Sequence, residues 1–283
     1  MIIDAHHHLW DPKPGQYPWM TAAFEPIRRR FGPEDLAPLL AACGVDRTIV
    51  VQTYSSLDET RDFLEVARCT PFIAGVVGWV SLTDDAAAET IAALKQMPGG
   101  EYLVGIRHQV HDEPDPKWLL RPLVQQSISA VGKAGLVFDL LVRPRELPAA
   151  LETVAAHPET RFVIDHLAKP PIRDGGSTEW DRWMPRMAAH PHVACKLSGM
   201  VTEADWQGWA LSDLRPYVRS VLEWFGPERV LFGSDWPVCL LAASYQKVFD
   251  ATQHLVRELA PGREPAVLGE NAARIYRLRE ESK

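Results

Sequence analysis

The chain opens Met1-Ile2-Ile3-Asp4-Ala5-His6-His7-His8-Leu9-Trp10, and the reading of that stretch decides the fold. Met1 to His6 is a short apolar run of the kind that forms a buried strand. Seven more runs rich in Val, Ile and Phe follow it, at Arg47–Gln52, Phe72–Val80, Leu103–Gln109, Leu136–Val142, Arg161–Asp165, Val193–Leu197 and Arg229–Gly233. Their starts lie 25 to 46 residues apart, near the ~30 residues that a strand, a loop and a returning helix need together. Helical periodicity fills the gaps: Asp58–Cys69 with Phe63, Val66 and Ala67 on one face, alanine-rich Asp84–Met97, Ser212–Phe225 opening on a Ser-Asp cap, then Ser244–Leu259 and Pro265–Leu278. An open doubly wound sheet would place a glycine-rich GxGxxG after its first strand, whereas this first strand runs into three histidines. Eight strands without that loop predict an α/β fold of the closed (β/α)8 TIM-barrel type, as a single domain over residues 1–283.

Composition narrows the partners. At 46% apolar and 24% charged the chain is an ordinary globular one, which excludes a disordered segment and a coiled-coil rod. No apolar run approaches the ~18 residues of a membrane span. Thirty Lys and Arg stand against 37 Asp and Glu, a net charge of −7 with no long basic block, so nothing drives binding to nucleic acid. Cys43, Cys69, Cys195 and Cys239 are far apart with no CxxC pair, against both a disulfide framework and a structural zinc site. The N-terminus lacks the basic flank, long apolar segment and small-residue cleavage site of a secretory signal, and the chain is expected to be cytoplasmic.

In a barrel, reacting groups collect where the strands end at the C-terminal mouth. The first run ends in His6-His7-His8, and alternation sends His6 and His8 to one side and His7 to the other. Two adjacent imidazoles can hold a divalent metal or orient a substrate carbonyl. The fourth run ends Arg107-His108-Gln109, the sixth Asp165-His166 and the eighth Ser234-Asp235-Trp236-Pro237. Each has a structural alternative: an incidental histidine triplet, a loop pair holding backbone amides, a turn or helix-cap aspartate. Coincidence at four strand ends is harder to sustain than function. Two long loops, Trp10–Arg47 and Ala168–Thr178, follow the first and sixth strands and so lie over the same mouth.

These residues resemble the amidohydrolase superfamily: HxH on strand one, a later histidine, an aspartate in Phe232-Gly233-Ser234-Asp235-Trp236-Pro237, and a terminal GENAARIY helix. DAHHHLWDP, GIRHQV, FVIDHLAKP, CKLSGM and LFGSDWPV are similar, more narrowly, to its lactonases of sugar lactones such as rhamnonolactone and fuconolactone and of pyrone-dicarboxylate lactones, from Met1 to about Arg277. The resemblance implies a metal or catalytic set of His6, His8, His166 and Asp235. Many superfamily members bridge two metals with a carboxylated lysine after strand four; here that segment reads IRHQV, so one divalent ion, zinc first, or none is expected.

The implied reaction is hydrolysis of a small sugar lactone to its aldonic acid, with Asp235 activating water and His6, His8 and His166 orienting carbonyl and water. Arg107 and His108 are expected to bind substrate, His108 on the catalytic side and Arg107 as an anchor or interior ion-pair partner. Lys196 is expected to neutralise a buried carboxylate such as Asp4 or Asp165. Trp10, Trp79 and Trp236 fall near the mouth, where an indole can stack on a sugar ring, while Trp183, Trp206, Trp209 and Trp224 read as helical. Arg28, Arg29 and Arg30 either greet an anionic substrate or form a solvated face. The alternatives in other classes are a metal-dependent decarboxylase of an aromatic or unsaturated acid and a non-catalytic sugar-binding barrel.

Overall fold

Each of the eight apolar runs forms a strand in the computed structural model, which describes residues 1–13, 17 and 19–279. The strands are β1 (Ile3–His7), β2 (Arg47–Val51), β3 (Ile73–Gly78), β4 (Leu103–His108), β5 (Val137–Leu140), β6 (Arg161–Ile164), β7 (Val193–Leu197) and β8 (Val230–Phe232). All pair in parallel, in sequence order, in one sheet. The last seam is closed by the residues beyond β8: Asp235 N donates to His6 O at 2.8 Å and His8 N to Trp236 O at 2.6 Å. A nearly closed (β/α)8 barrel results, as the strand spacing predicts.

Alternation sorts each strand into an inner and an outer row. Ile3, Ala5, Ile49, Val51, Val77, Val137, Val163, Ala194 and Leu231 form an apolar cluster that fills the lower barrel. The barrel floor is closed by Ala272, Ile275 and Tyr276 of the C-terminal helix. The outer row, with Val76, Ile106, Phe138, Phe162, Cys195 and Phe232, packs against the surrounding helices in one continuous core. Burying both faces is why these runs read as unbroken apolar stretches.

The helices are α1 (Pro33–Cys43), α2 (Leu57–Cys69), α3 (Ala87–Gln96), α4 (Pro122–Lys133), α5 (Leu147–Ala156), α6 (Thr178–Ala188), α7 (Met200–Glu203), α8 (Leu211–Phe225), α9 (Tyr245–Leu259) and α10 (Asn271–Ile275). Ser56 and Ser244 cap α2 and α9, accepting from Glu59 N and Lys247 N at 3.2 Å. At α8 the expectation needs correcting: Ser212 lies inside the helix, and Asp213 reaches back to accept from Ala210 N at 2.9 Å. The expected helix over 265–278 is a π-helical turn, Ala266–Glu270, continuing into the short α10. Trp183 and Trp224 are helical, but Trp206 and Trp209 lie outside the helices, between α7 and α8. Among the described residues no helix is long and apolar enough to cross a membrane.

The loop after β1 folds over the mouth. Trp10 and Phe31 exchange backbone hydrogen bonds at 3.1 and 2.8 Å, bracketing a 3-10 turn at Ala22–Ile27; residues 14–16 and 18 of this loop lie outside the described residues. Arg28, Arg29 and Arg30 are exposed and ion-paired with Glu25, Asp35 and Glu34, a solvated face.

Candidate active site

A break in β1 delivers the first two histidines. Ile3 and Ala5 face the barrel interior, so strict alternation would turn His7 inward and His6 outward. The register against β2 shifts between Asp4 and His7, and such a bulge re-aims the following side chains. His6 and His8 consequently meet inside, their Nε2 atoms 3.2 Å apart, while His7 turns out to Thr48 Oγ1 at 2.9 Å. Asp4 fastens the bulge from the outer side, accepting from His6 N at 3.1 Å, Ser234 N at 2.9 Å and Tyr245 Oη at 3.0 Å. Burial pushes the Asp4 carboxyl up to about 6 against the pull of those donors.

His166 and Asp235 come from strand ends that turn through left-handed backbone. His166 to Lys169 hold φ between 49° and 59°, and Asp235 has φ 57°, a conformation costly for non-glycine residues and concentrated at functional sites. Gly199 lets His166 seat: a Cβ there would lie 2.6 Å from the imidazole Nδ1. Asp235 Oδ1 then stands 3.4 Å from His8 Nε2, 3.8 Å from His6 Nε2 and 3.9 Å from His166 Nε2. Four side chains from β1 and the ends of β6 and β8 thus surround one point.

That constellation fits a metal ion. Zinc bonds of ~2.0–2.1 Å in a tetrahedron place neighbouring donor atoms ~3.3 Å apart, close to the 3.2, 3.4 and 3.8 Å among His6 Nε2, His8 Nε2 and Asp235 Oδ1, with His166 Nε2 a further 3.9 Å from Asp235 Oδ1. The outer nitrogens are held as metal-ligating histidines require: His8 Nδ1 lies 2.8 Å from Val51 O, which can only accept, so His8 Nε2 carries a lone pair. His166 Nδ1 lies 2.9 Å from Ser198 Oγ. Among the described residues the donors form two overlapping groups, His6 with His8 and Asp235, and His6 with Asp165 and His166. Burial pushes the His6 and His166 imidazoles well below their usual range, which keeps them neutral. For Asp235 burial acts upward, yet its carboxyl lies below its ordinary value, with His166, His8 and Lys169 the groups around it.

Beneath these residues lies a buried layer of paired charges. Lys196 Nζ sits 2.6 Å from Asp139 Oδ2, 3.0 Å from Asp165 Oδ1 and 3.3 Å from His6 Nδ1. Arg107 donates to Asp165 Oδ2 at 3.0 Å and also to Gln52 O, and its Nη1 lies 3.3 Å from His6 Nε2. Tyr276 Oη donates to Asp139 at 2.8 Å, tying the layer to the barrel floor. Lys196 and Arg107 thereby hold Asp165 well below the carboxylate range against its burial. Breaking one member of such a set leaves a bare buried charge. Lys196 serves Asp165 as expected but not Asp4. Asp139 was missed, although a lone aspartate inside the apolar run Leu136–Val142 was a readable signal.

Not every candidate reaches this point. His108 follows Ile106 on the outer row and faces away from the interior. Its Nδ1 accepts from Trp79 Nε1 at 3.0 Å, its Nε2 lies 2.8 Å from Glu113 Oε1, and its ring stacks on Trp118 at 4.2 Å. This removes His108 and Trp79 from the cavity. Trp236 is buried against Phe31, ring centroids 5.3 Å apart, and does not line the cavity either. Cys239 is buried, and that burial pushes its thiol well above its usual range.

The cavity over the site measures about 280 Å³. His8, His166, Asp235 and Arg107 line it below, Trp10, Trp19 and Phe24 form an aromatic wall, and Gln109, His111, Asp112, Arg143 and Lys169 stand at the polar side. Of the aromatic wall and the polar side the sequence pointed only to Trp10 and to Gln109 at the end of the fourth run, because the others sit on loops where no periodicity assigns a direction.

A family model described as Amidohydrolase matches residues 3–278. The L-fucono-1,5-lactonase of Burkholderia ambifaria is 43% identical over 98% of this chain and 95% of its own length. That of Burkholderia multivorans is 40% identical over 98% and 96%. A crystal structure of a Burkholderia multivorans amidohydrolase with bound zinc is 36% identical, with a TM-score of 0.93 across 99% of this chain and 100% of that one. Barrel, bulged HxH strand and full-length match agree, and this chain belongs to the amidohydrolase family.

Proposed function

We propose that this chain hydrolyses a sugar lactone to its aldonic acid, the whole activity residing in one domain over residues 1–283. The observation that carries the reading is the Asp235 carboxyl 3.4–3.9 Å from His6, His8 and His166 at the bottom of a cavity with one aromatic wall. The lactonase names of relatives that match along the entire chain favour ester hydrolysis over decarboxylation on the same residues.

Opening a lactone needs an activated water, a stabilised oxyanion and a proton for the departing ring alkoxide. Asp235 accepts a water proton as the hydroxide adds to the carbonyl carbon. The tetrahedral oxyanion forms on the cavity floor, where the Arg107 guanidinium supplies a fixed positive charge beneath it. Collapse breaks the ring C–O bond, and Asp235 returns its proton to the alkoxide, leaving the aldonic acid. His8 and His166, fixed by Val51 O and Ser198 Oγ, hold water and carbonyl in line. One divalent ion, zinc first, fits His6, His8, His166 and Asp235 and when bound supplies Lewis-acid polarisation and a water pKa nearer ~7.

The test is a pH-indicator screen over aldono-1,4- and 1,5-lactones with elemental analysis of the purified protein. Acid release is expected, and Asp235→Asn should lose about 100- to 10,000-fold in kcat while remaining folded. No acid from any lactone, alongside carbon dioxide from an aromatic acid, would hand the site to the decarboxylase reading. Near-normal turnover by Asp235→Asn would remove that residue from the mechanism.

A further inference from the structure

Above the reacting groups, on two loops that the hydrolytic steps leave unused, stands a belt of hydrogen-bonding side chains. The loop after β4 carries His111 and Asp112; the loop after β5 carries Arg143, and all three line the cavity. This loop pair is a built surface. His108 pins the first loop from outside through Glu113 at 2.8 Å and its stack on Trp118 at 4.2 Å. His111 N donates to Leu141 O at 3.2 Å, and Arg145 donates to Glu113 O, so the two loops are laced together.

The chemistry of the belt is mixed. His111 Nε2 lies 3.2 Å from Asp112 Oδ1, while its Nδ1 is buried without a partner among the described residues. Burial, aided by Lys169, Arg143 and Arg107, pushes this imidazole down to about 3, so it stays neutral, with one nitrogen to donate and one to accept. Asp112 only accepts and Arg143 only donates. Lys169 is already committed to Glu203. An anionic substituent would meet the Asp112 carboxylate, whereas a hydroxyl, which both donates and accepts, satisfies either kind of group. The same cavity is also lined by Trp10, Trp19 and Phe24, Trp19 being 5.6 Å from each of the other two centroid to centroid. A sugar ring has this same division, with apolar C–H surface and a hydroxyl-bearing edge.

We infer that His111, Asp112 and Arg143 form a subsite that reads the hydroxyls of a neutral polyhydroxylated lactone while its C–H face lies on the aromatic wall. The inference rests on the lactonase reading and names what that reading leaves open, the residues that select the substrate. Sites built to hydrogen-bond a hydroxyl discriminate strongly against analogues that lack it.

Asp112→Ala and Arg143→Met change exposed side chains, and thermal melts will check that both fold. Kinetics are measured on the aldonolactone with the highest kcat/KM in the screen, L-fucono-1,5-lactone being the first probe, and on δ-valerolactone, the same ring without hydroxyls. Each variant is expected to lose roughly tenfold or more in kcat/KM on the sugar lactone, mainly through KM, with δ-valerolactone changed less than about twofold. Where δ-valerolactone turns over too slowly, its Ki as a competitive ligand takes the place of kcat/KM. Equal losses on both lactones, or no loss on the sugar lactone, overturn the subsite alone. A wild-type enzyme inert toward every lactone overturns the lactonase reading and the subsite with it.

Discussion

Glu59 is a carboxyl that the fold keeps out of water, buried where α2 meets the loop after β2. It accepts from Thr53 N at 2.9 Å and from the Thr53 hydroxyl, fixing a loop that lines the cavity. Burial outweighs those donors and pushes its pKa up to about 7 from 4.5. The folded chain therefore binds the Glu59 proton more tightly than the unfolded one. Its contribution to stability is fully present below about 4.5 and is lost as pH rises through about 7, on the order of 3 kcal/mol at most. Glu59→Gln removes this dependence, so urea midpoints of wild type and variant should converge and then cross as pH rises from 5 to 8. Parallel curves would refute the shift. At this same scale the histidines and Asp235 were legible, because each stands at the end of an apolar run. The side that His6 faces was not: the bulge depends on Asp4 gripping backbone from β1 and the end of β8, more than 200 residues apart. For His108 alternation from Ile106 was enough, and it points outward.

Among the elements, strands were easier to read than helix ends. Burial on both faces writes a strand as a continuous apolar run, and the charged interruptions Asp139, Arg107 and Lys196 mark inward positions where the interior turns polar. Helix starts depend on one side chain reaching a backbone amide, which composition alone does not choose. At α8 the choice falls on Asp213, whose carboxylate accepts from Ala210 N, while Ser212 Oγ reaches only Asp213 Oδ1 at 3.4 Å. Asp213→Ala should lower stability by about 0.5–1 kcal/mol, through the lost cap and the lost negative charge at the helix N-terminus. Ser212→Ala should change it by no more than a few tenths of that scale. Chemical denaturation of the two variants decides between them, and equal losses would return the cap to Ser212.

For the whole molecule, the last barrel seam and the metal-fitting site are the same place. β1 and the end of β8 are joined by the Asp235 N to His6 O and His8 N to Trp236 O bonds, and the Asp235 carboxylate faces the His6 and His8 imidazoles. An ion held there would cross-link the first strand, the end of the sixth and the end of the eighth in the folded chain, and the unfolded chain has no such array. Binding to the native state alone stabilises by RT ln(1 + [L]/Kd), about 2.7 kcal/mol at one hundred times Kd. For a chain of this size that corresponds to a rise in Tm of roughly 5 °C. Chelator-treated protein titrated with zinc should show that rise. His8→Gln and His166→Gln should each abolish most of it, whereas His108→Gln, on the outer side of β4, should keep it. A rise that survives in His8→Gln and His166→Gln would place zinc elsewhere, and its loss in His108→Gln alone would return that histidine to the site.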